Sequence, residues 1–248
     1  MIEARHEGPL GWIVLNDPEK HNVLSRAAMA DIAEALVAHQ DGGCRVIILT
    51  ARGKSFSAGA SLKEVAAEDW TVNPLSVLAD AIEACPLPVI AGVQGNVFGG
   101  GVDMALACDY RIGIEGIRAH VPAVRLGIHY PEDGLARATR LLGLQATRRL
   151  FLFSEPIYSE DLLRTGFLDQ VVPSEEALLE TLERKALHIA GCAPLALQGM
   201  KATLRDQVNG KADPEVIRAR IAACFASEDH KEGLAAQREK RKPAFKGR

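Results

Sequence analysis

Apolar residues recur along this chain in two rhythms. Short runs rich in Val, Ile and Leu predict strands at residues 11–15, 45–50, 89–93 and 109–114. The run at 45–50, R-V-I-I-L-T, is of the kind covered on both faces. Helical spacing takes over at 25–39, where Met29, Ile32, Ala33 and Leu36 share a face behind Ser25 as N-cap. A further amphipathic helix at 75–84 is stopped by C-P-L-P at 85–88. Past the middle of the chain the helical rhythm dominates: 134–142 and 146–153 with a break at Gly143, then 159–165, 175–190, 195–207, 214–226 and 228–241. Asp213 caps the 214–226 helix and Pro214 occupies its first turn. Between these elements lie a turn at 16–22 and irregular small-residue loops at 51–64 and 120–134. The polar stretch 64–73, which carries Trp70, reads as a loop with no assigned role. Strand, glycine loop and helix follow one another twice, which predicts a repeated, layered α/β build. A shift near Gly191 divides a mixed body, residues 1–190, from a helical region, residues 191–248.

Composition narrows the class. Of 248 residues, 48% are apolar, enough for a substantial core. A net charge of −3 and an aromatic share of 5%, with no basic stripe, argue against a nucleic-acid partner. The N-terminus, M-I-E-A-R-H-E-G-P, has no apolar leader region, and no apolar run approaches membrane-spanning length. A cytoplasmic protein without a membrane partner is the expectation. The five cysteines are scattered, odd in number and never in a C-x-x-C pair, and the seven histidines show no H-E-x-x-H spacing. Neither a disulfide framework nor a metal site is expected.

The chemistry concentrates in V-I-A-G-V-Q-G-N-V-F-G-G-G-V-D-M-A-L-A-C-D at 89–109. A buried strand leads through a glycine turn into a helix whose body is 104–108. Such a turn aims unpaired N–H groups and the positive end of the helix dipole at one spot. That spot favours a phosphate, or an oxygen turning anionic during a reaction. A nucleotide loop is disfavoured, because the glycines are not followed by Lys and Ser/Thr, and a serine hydrolase is disfavoured because G-x-S-x-G is absent.

The loop F-S-A-G-A-S-L at 56–62, the stretch G-N-V-F-G-G-G-V-D-M-A-L-A-C-D at 95–109, P-A-V-R-L-G at 122–127 and the ending K-R-K-P-A-F-K-G at 240–247 together resemble the crotonase superfamily, which includes enoyl-CoA hydratases and isomerases. The resemblance implies an α/β fold, a spiral of ββα units followed by a C-terminal helical trimerisation region, with trimers often paired into hexamers. It also implies an acyl-CoA substrate, no separate cofactor, and a thioester oxygen held between two backbone amides. By position these oxyanion donors would be Ala58 and Gly100. Ala58, Gly59, Ala60, Ser61, Leu62 and Gly100 would border the substrate, with Ser61 standing where similar proteins carry an aspartate.

Hydratases similar to this chain use two glutamates. Here the first position matches Asp103 and the second matches Ala123, which cannot transfer a proton. Asp103 is one methylene shorter and lies in the first helical turn, where the dipole would lower its pKa. Within the third loop, His129, Tyr130, Glu132 and Asp133 offer substitutes: Tyr130 as a hydrogen-bond donor, Glu132 as acid or base if partly desolvated. Asp103, Tyr130 and Glu132 are therefore the expected catalytic residues. Standard hydration is not expected with alanine at 123. Isomerisation, decarboxylation, a hydratase variant, or an acyl-CoA binding protein without catalysis remain as readings, with a serine hydrolase last because no Ser, His and Asp set stands out.

Overall fold

The computed structural model of this chain describes residues 2–67 and 72–248. Strands β1 (Ile2–Glu7) and β2 (Leu10–Leu15) form an antiparallel hairpin. Helix α1 (Arg26–Asp41), capped by Ser25, which accepts from the Ala28 amide at 3.1 Å, then crosses to β3 (Val46–Ala51), parallel to β2. From β3 onward one unit repeats: long strand, short strand, helix. The first unit continues through β4 (Ser55–Ser57), α2 (Leu62–Ala67) and α3 (Pro74–Ala84). The second is β5 (Val89–Val93), β6 (Asn96–Phe98) and α4 (Gly100–Ala107). The third is β7 (Tyr110–Ile114), β8 (Arg118–His120) and, after a 3-10 turn at Ala123–Leu126, α5 (Glu132–Thr147). A π turn (Arg148–Leu152), β9 (Ile157–Tyr158), α6 (Ser159–Arg164) and β10 (Gln170–Val172) complete the body. Four helices follow: α7 (Glu175–Ala190), α8 (Pro194–Val208), α9 (Pro214–Ala226) and α10 (Glu228–Glu239).

The long strands lie in the order β1-β2-β3-β5-β7-β10 and the short ones in the order β4-β6-β8-β9. Each of the second and third units adds one parallel strand to both sheets, so the chain winds as a ββα spiral. Strand periodicity sorts the apolar residues between two cores. Ile13, Leu15, Ile47, Leu49, Val89 and Ala91 face α1, α3 and α4 in the main core. Their neighbours Trp12, Val14, Val46, Ile48 and Ile90 face Leu178, Leu182 and Ala186 of α7. Burying a side chain such as Leu178 or Leu182 fully is worth about 1.5–3 kcal/mol, so α7 seals the sheet with little help from polar contacts.

Three differences from the sequence expectations bear on function. The N-terminal segment is a strand. The glycine-rich loops contain the short strands β4, β6 and β8, which form a second sheet of their own. Helix α5 begins at Glu132, so Glu132 and Asp133 stand in a helical first turn and not in the loop before it. Gly143 interrupts α5 as expected, with φ 76° and ψ 160°. Of the polar stretch 64–73, residues 68–71, including Trp70, lie outside the described residues.

Helices α8 and α9 bury no residue completely. Helix α8 is tied to the body by polar contacts, Lys201 Nζ donating to the Leu87 carbonyl at 2.9 Å and to Asp109 Oδ2 at 2.6 Å, and Arg220 of α9 pairs in turn with Asp206 of α8 at 2.8 Å. The C-terminal tail is held by Arg45 Nη2, which donates to the Phe245 carbonyl at 2.6 Å. Among the described residues no helix is long and apolar enough to cross a membrane.

Candidate active site

The loop leaving β4 is pinned from one side. The Ala58 amide donates to the His21 carbonyl at 2.8 Å, the Leu24 amide to the Gly59 carbonyl at 2.8 Å, and the Ser61 amide to the Leu24 carbonyl at 3.0 Å. These bonds make a parallel bridge between Leu24 and Ala60. In such a bridge the residue between the bonded pair turns its own N–H to the opposite side. Among the described residues the Ala60 amide has no partner.

The chain leaving β6 turns at Gly99, whose φ of 49° and ψ of −120° suit glycine alone. Its amide donates to the His120 carbonyl at 2.9 Å, and Gly100 then opens α4 with an amide that no carbonyl within the helix can reach. The two loops touch. A Cβ on Gly59, itself at φ 84°, would stand 2.7 Å from the Phe98 carbonyl oxygen and 2.8 Å from the Gly100 nitrogen. A Cβ on Gly100 would stand 3.3 Å from the Ala60 nitrogen. The unpartnered amides that meet are therefore those of Ala60 and Gly100. This corrects the expectation for Ala58: its N–H is already committed to His21, although the residue still borders the same cavity.

That cavity, of about 290 Å³, is walled by apolar side chains, among them Leu62, Val65, Leu75, Leu126 and Ile128. Ala123 lines it where similar proteins carry the second glutamate, at the start of the 3-10 turn. Gly59 packs beneath Gly100, and Ser61 caps α2, its Oγ accepting from the Glu64 amide at 3.4 Å. Among the described residues that line the cavity, His129 and Tyr130 are the titratable ones. His129 Nδ1 lies 2.8 Å from the Tyr130 carbonyl, an acceptor, so that nitrogen is the donor of the contact. The buried Tyr130 hydroxyl donates to the Gly99 carbonyl at 3.2 Å, and its ring meets Phe151 edge-on at 4.7 Å. Burial pushes the Tyr130 phenol well above its usual range, and the nearby Asp103 carboxylate adds to that.

Asp103 points elsewhere. It is 1% exposed, and its Oδ1 takes Arg137 Nη1 at 2.5 Å. Arg137, equally enclosed, also pairs with Glu83 and Asp80 of α3, each at 3.0 Å. Burial raises the Asp103 carboxyl pKa and Arg137 opposes the rise, so the lowering expected from the helix dipole does not govern this group. Asp103 does not line the cavity. Neither does Glu132, which is exposed on the first turn of α5 and so lacks the desolvation an acid or base role at that position requires. Of the three side chains expected to be catalytic, only Tyr130 is brought to the cavity wall.

Arg137 went unread in the sequence, yet a signal was present: it stands on the inward stripe of α5 with Gly134, Ala138 and Leu142, a place where a cation needs a buried anion opposite. That the Ala60 amide is left without a partner among the described residues had no such signal, since it depends on which carbonyls the β4 loop meets. Among the described residues no group of three or more His, Cys, Asp or Glu could hold a metal ion.

The profile of the family described as enoyl-CoA hydratase/isomerase matches residues 5–248. The chain is 33% identical over 254 residues to the 2,3-dehydroadipyl-CoA hydratase of Escherichia coli strain K12, covering 100% of this chain and 99% of that protein. It is 32% identical over 257 residues to the enoyl-CoA isomerase/hydratase fer4 of Mycosarcoma maydis, covering 95% and 92%. The crystal structure of an enoyl-CoA hydratase from Bacillus anthracis superposes with a TM-score of 0.92 at 29% identity, covering 100% of this chain and 99% of that one.

Proposed function

The chain belongs to the enoyl-CoA hydratase/isomerase family of the crotonase superfamily, and from that premise we propose that it is an enzyme that binds an acyl-CoA thioester with the carbonyl oxygen between the Ala60 and Gly100 amides. The observation that carries this reading is the pair of unpartnered amides, from two different units of the spiral, at the wall of one apolar cavity. Backbone donors fixed before the substrate arrives stabilise an enolate or tetrahedral oxyanion without reorganising when charge develops. Ala58, Ala60 and Leu62 then border the substrate, while Gly59 and Ser61 hold the loop that presents it.

The proton inventory favours some reactions over others. Adding water across an enoyl double bond calls for one group to activate the water and for a proton to be delivered to the α carbon. The cavity offers no carboxylate among the described residues: Asp103 is engaged with Arg137, residue 123 is alanine, and Glu132 faces solvent. A reaction that shifts or delivers one proton on a thioester enolate suits this cavity better, with His129 as the side chain at hand. Isomerisation of an enoyl thioester and decarboxylation of a malonyl-type thioester are of that kind.

The test is a panel of 2-enoyl-, 3-enoyl- and malonyl-type CoA thioesters assayed for hydration, isomerisation and loss of carbon dioxide, run beside calorimetry of binding. Turnover is expected in one of the last two. Gly100→Pro removes the N–H at the first residue of a helix, where proline suits the backbone and its ring displaces the end of the Leu75 side chain. Its turnover is expected to fall roughly 100- to 1,000-fold, with the melting transition retained. Undiminished turnover in that variant refutes the role of the Gly100 amide. Tight binding with no turnover of any thioester makes the protein an acyl-CoA binder instead.

A further inference from the structure

The hydroxyl of Tyr130, a residue of the cavity wall, is engaged with the main chain of that same wall. It donates at 3.2 Å to the carbonyl of Gly99. That carbonyl and the N–H of Gly100 belong to one planar peptide group, so whatever holds the oxygen also aims the hydrogen. The plane could otherwise swing. Gly99 is the residue whose ψ sets its tilt, and as a glycine it resists rotation less than any other. Two donors hold the oxygen: the Val102 amide at 3.0 Å, from within the first turn of α4, and the phenol, from a different unit of the spiral.

The phenol is itself held firmly. Its ring edge packs against Gly134, where an added Cβ would stand 2.6 Å from Cε1, and the other contact is Phe151, carried by the π turn after α5. The unpaired Oδ2 of Asp103 is on the same side, 3.1 Å from that same Cβ position. A carboxylate there, with burial, keeps the phenol protonated and therefore a donor. A hydrogen bond accepted at an amide oxygen also polarises the N–H of that amide, by roughly 10–30% per bond in condensed phases.

We propose that Tyr130 is a positioning residue: its hydroxyl fixes the plane of the Gly99–Gly100 peptide and strengthens the Gly100 N–H as the donor to the thioester oxygen. The inference rests on the acyl-thioester reading of the site and names the side chain that tunes it. Tyr130 then acts through the peptide, and its proton stays on the phenol throughout.

Tyr130→Phe removes the hydroxyl and keeps the ring against Phe151 and Gly134. The readout is the infrared carbonyl band of butyryl-CoA carrying ¹³C at the thioester carbon, a saturated ligand with no double bond to convert. In the unaltered protein the band is expected to fall in frequency on binding. In Tyr130→Phe it is expected to fall by less, and turnover of a substrate found in the panel should drop about tenfold in kcat with KM nearly unchanged, short of the loss of a whole donor. Gly134→Ala, which displaces the ring without removing the hydroxyl, is expected to weaken the band shift in the same direction. It serves also if the phenylalanine variant melts early. A band in Tyr130→Phe lowered as far as in the unaltered protein overturns the proposal, and lost turnover alongside that unchanged band assigns Tyr130 a direct role on substrate. No band shift in the unaltered protein removes the acyl-thioester reading itself, and this inference with it.

Discussion

Asp103 carries a carboxylate to a place water does not reach, and Arg137 is what makes that tolerable. Their pairing at 2.5 Å joins α4 to α5, and Glu83 and Asp80 bring α3 into the same cluster. Removing one partner of a buried pair strands the other and typically costs about 3–5 kcal/mol. Because Arg137 keeps Glu83, Asp103→Ala is expected to lose stability toward the lower end of that range, read as a fall in the urea midpoint. Asp103→Leu combined with Arg137→Met should recover most of the loss, since an apolar pair of similar volume needs no desolvation. A double variant no more stable than Asp103→Ala would contradict this account. At this scale the sequence was partly legible. The glycine turn pointed to Gly100, because an amide at a helix start is unpaired by construction. The family resemblance pointed to Ala58, whereas the amide left unpartnered in the β4 loop is that of Ala60, because the choice between alternate amides is made by His21 and Leu24, in a distant turn. The inward aim of Asp103 was hidden for the same reason: its partner lies on a helix far along the chain.

Elements of five residues or more were mostly legible, and shorter ones were not. Helix α7 begins and ends where its periodicity predicts, and β3 and β5 follow from unbroken apolar runs. Strands β4, β6 and β8 have three residues each, too few to display an alternation, and they exist because the spiral lays them side by side. β1 buries none of its six residues and exposes four, so its strand character comes from pairing with β2. The last element shows how charge replaces burial. Glu232 on α10 receives both terminal nitrogens of Arg241 and the Ala244 amide, and these bonds, Arg241 first, lower its pKa from 4.5 to about 2. A carboxyl with a depressed folded pKa contributes its full stabilisation above the unfolded value and loses it as pH falls toward the folded one. The tail should therefore stay docked as the pH is lowered through 4.5. The amide shift of Ala244, followed by NMR, is expected to remain flat there and to titrate there in Arg241→Ala. A titration near 4.5 in the unaltered protein would show that the latch does not hold.

For the molecule as a whole, the helices after residue 190 pose the remaining physical question. Met200 and Leu204 on α8 and Ile221 and Phe225 on α9 are each more than half exposed and line one groove between the two helices. Helices of 15 and 13 residues gain little from propensity alone and depend on covering an apolar face. A monomer that left this groove open would also carry a contiguous apolar patch of the sort that marks a contact surface. The occupant that the family resemblance leads one to expect is another copy of the same chain, in a trimer or a pair of trimers. Charge at the groove's centre should then break the assembly without reaching the cavity, whose walls come from the spiral units. Light scattering should give the unaltered protein three or six times the 26.7 kDa chain mass, and Leu204→Asp with Phe225→Asp should give a single chain that still melts cooperatively. A single-chain mass for the unaltered protein at micromolar concentration would mean that something other than its own kind covers α8 and α9, and would remove the reason to expect a trimer.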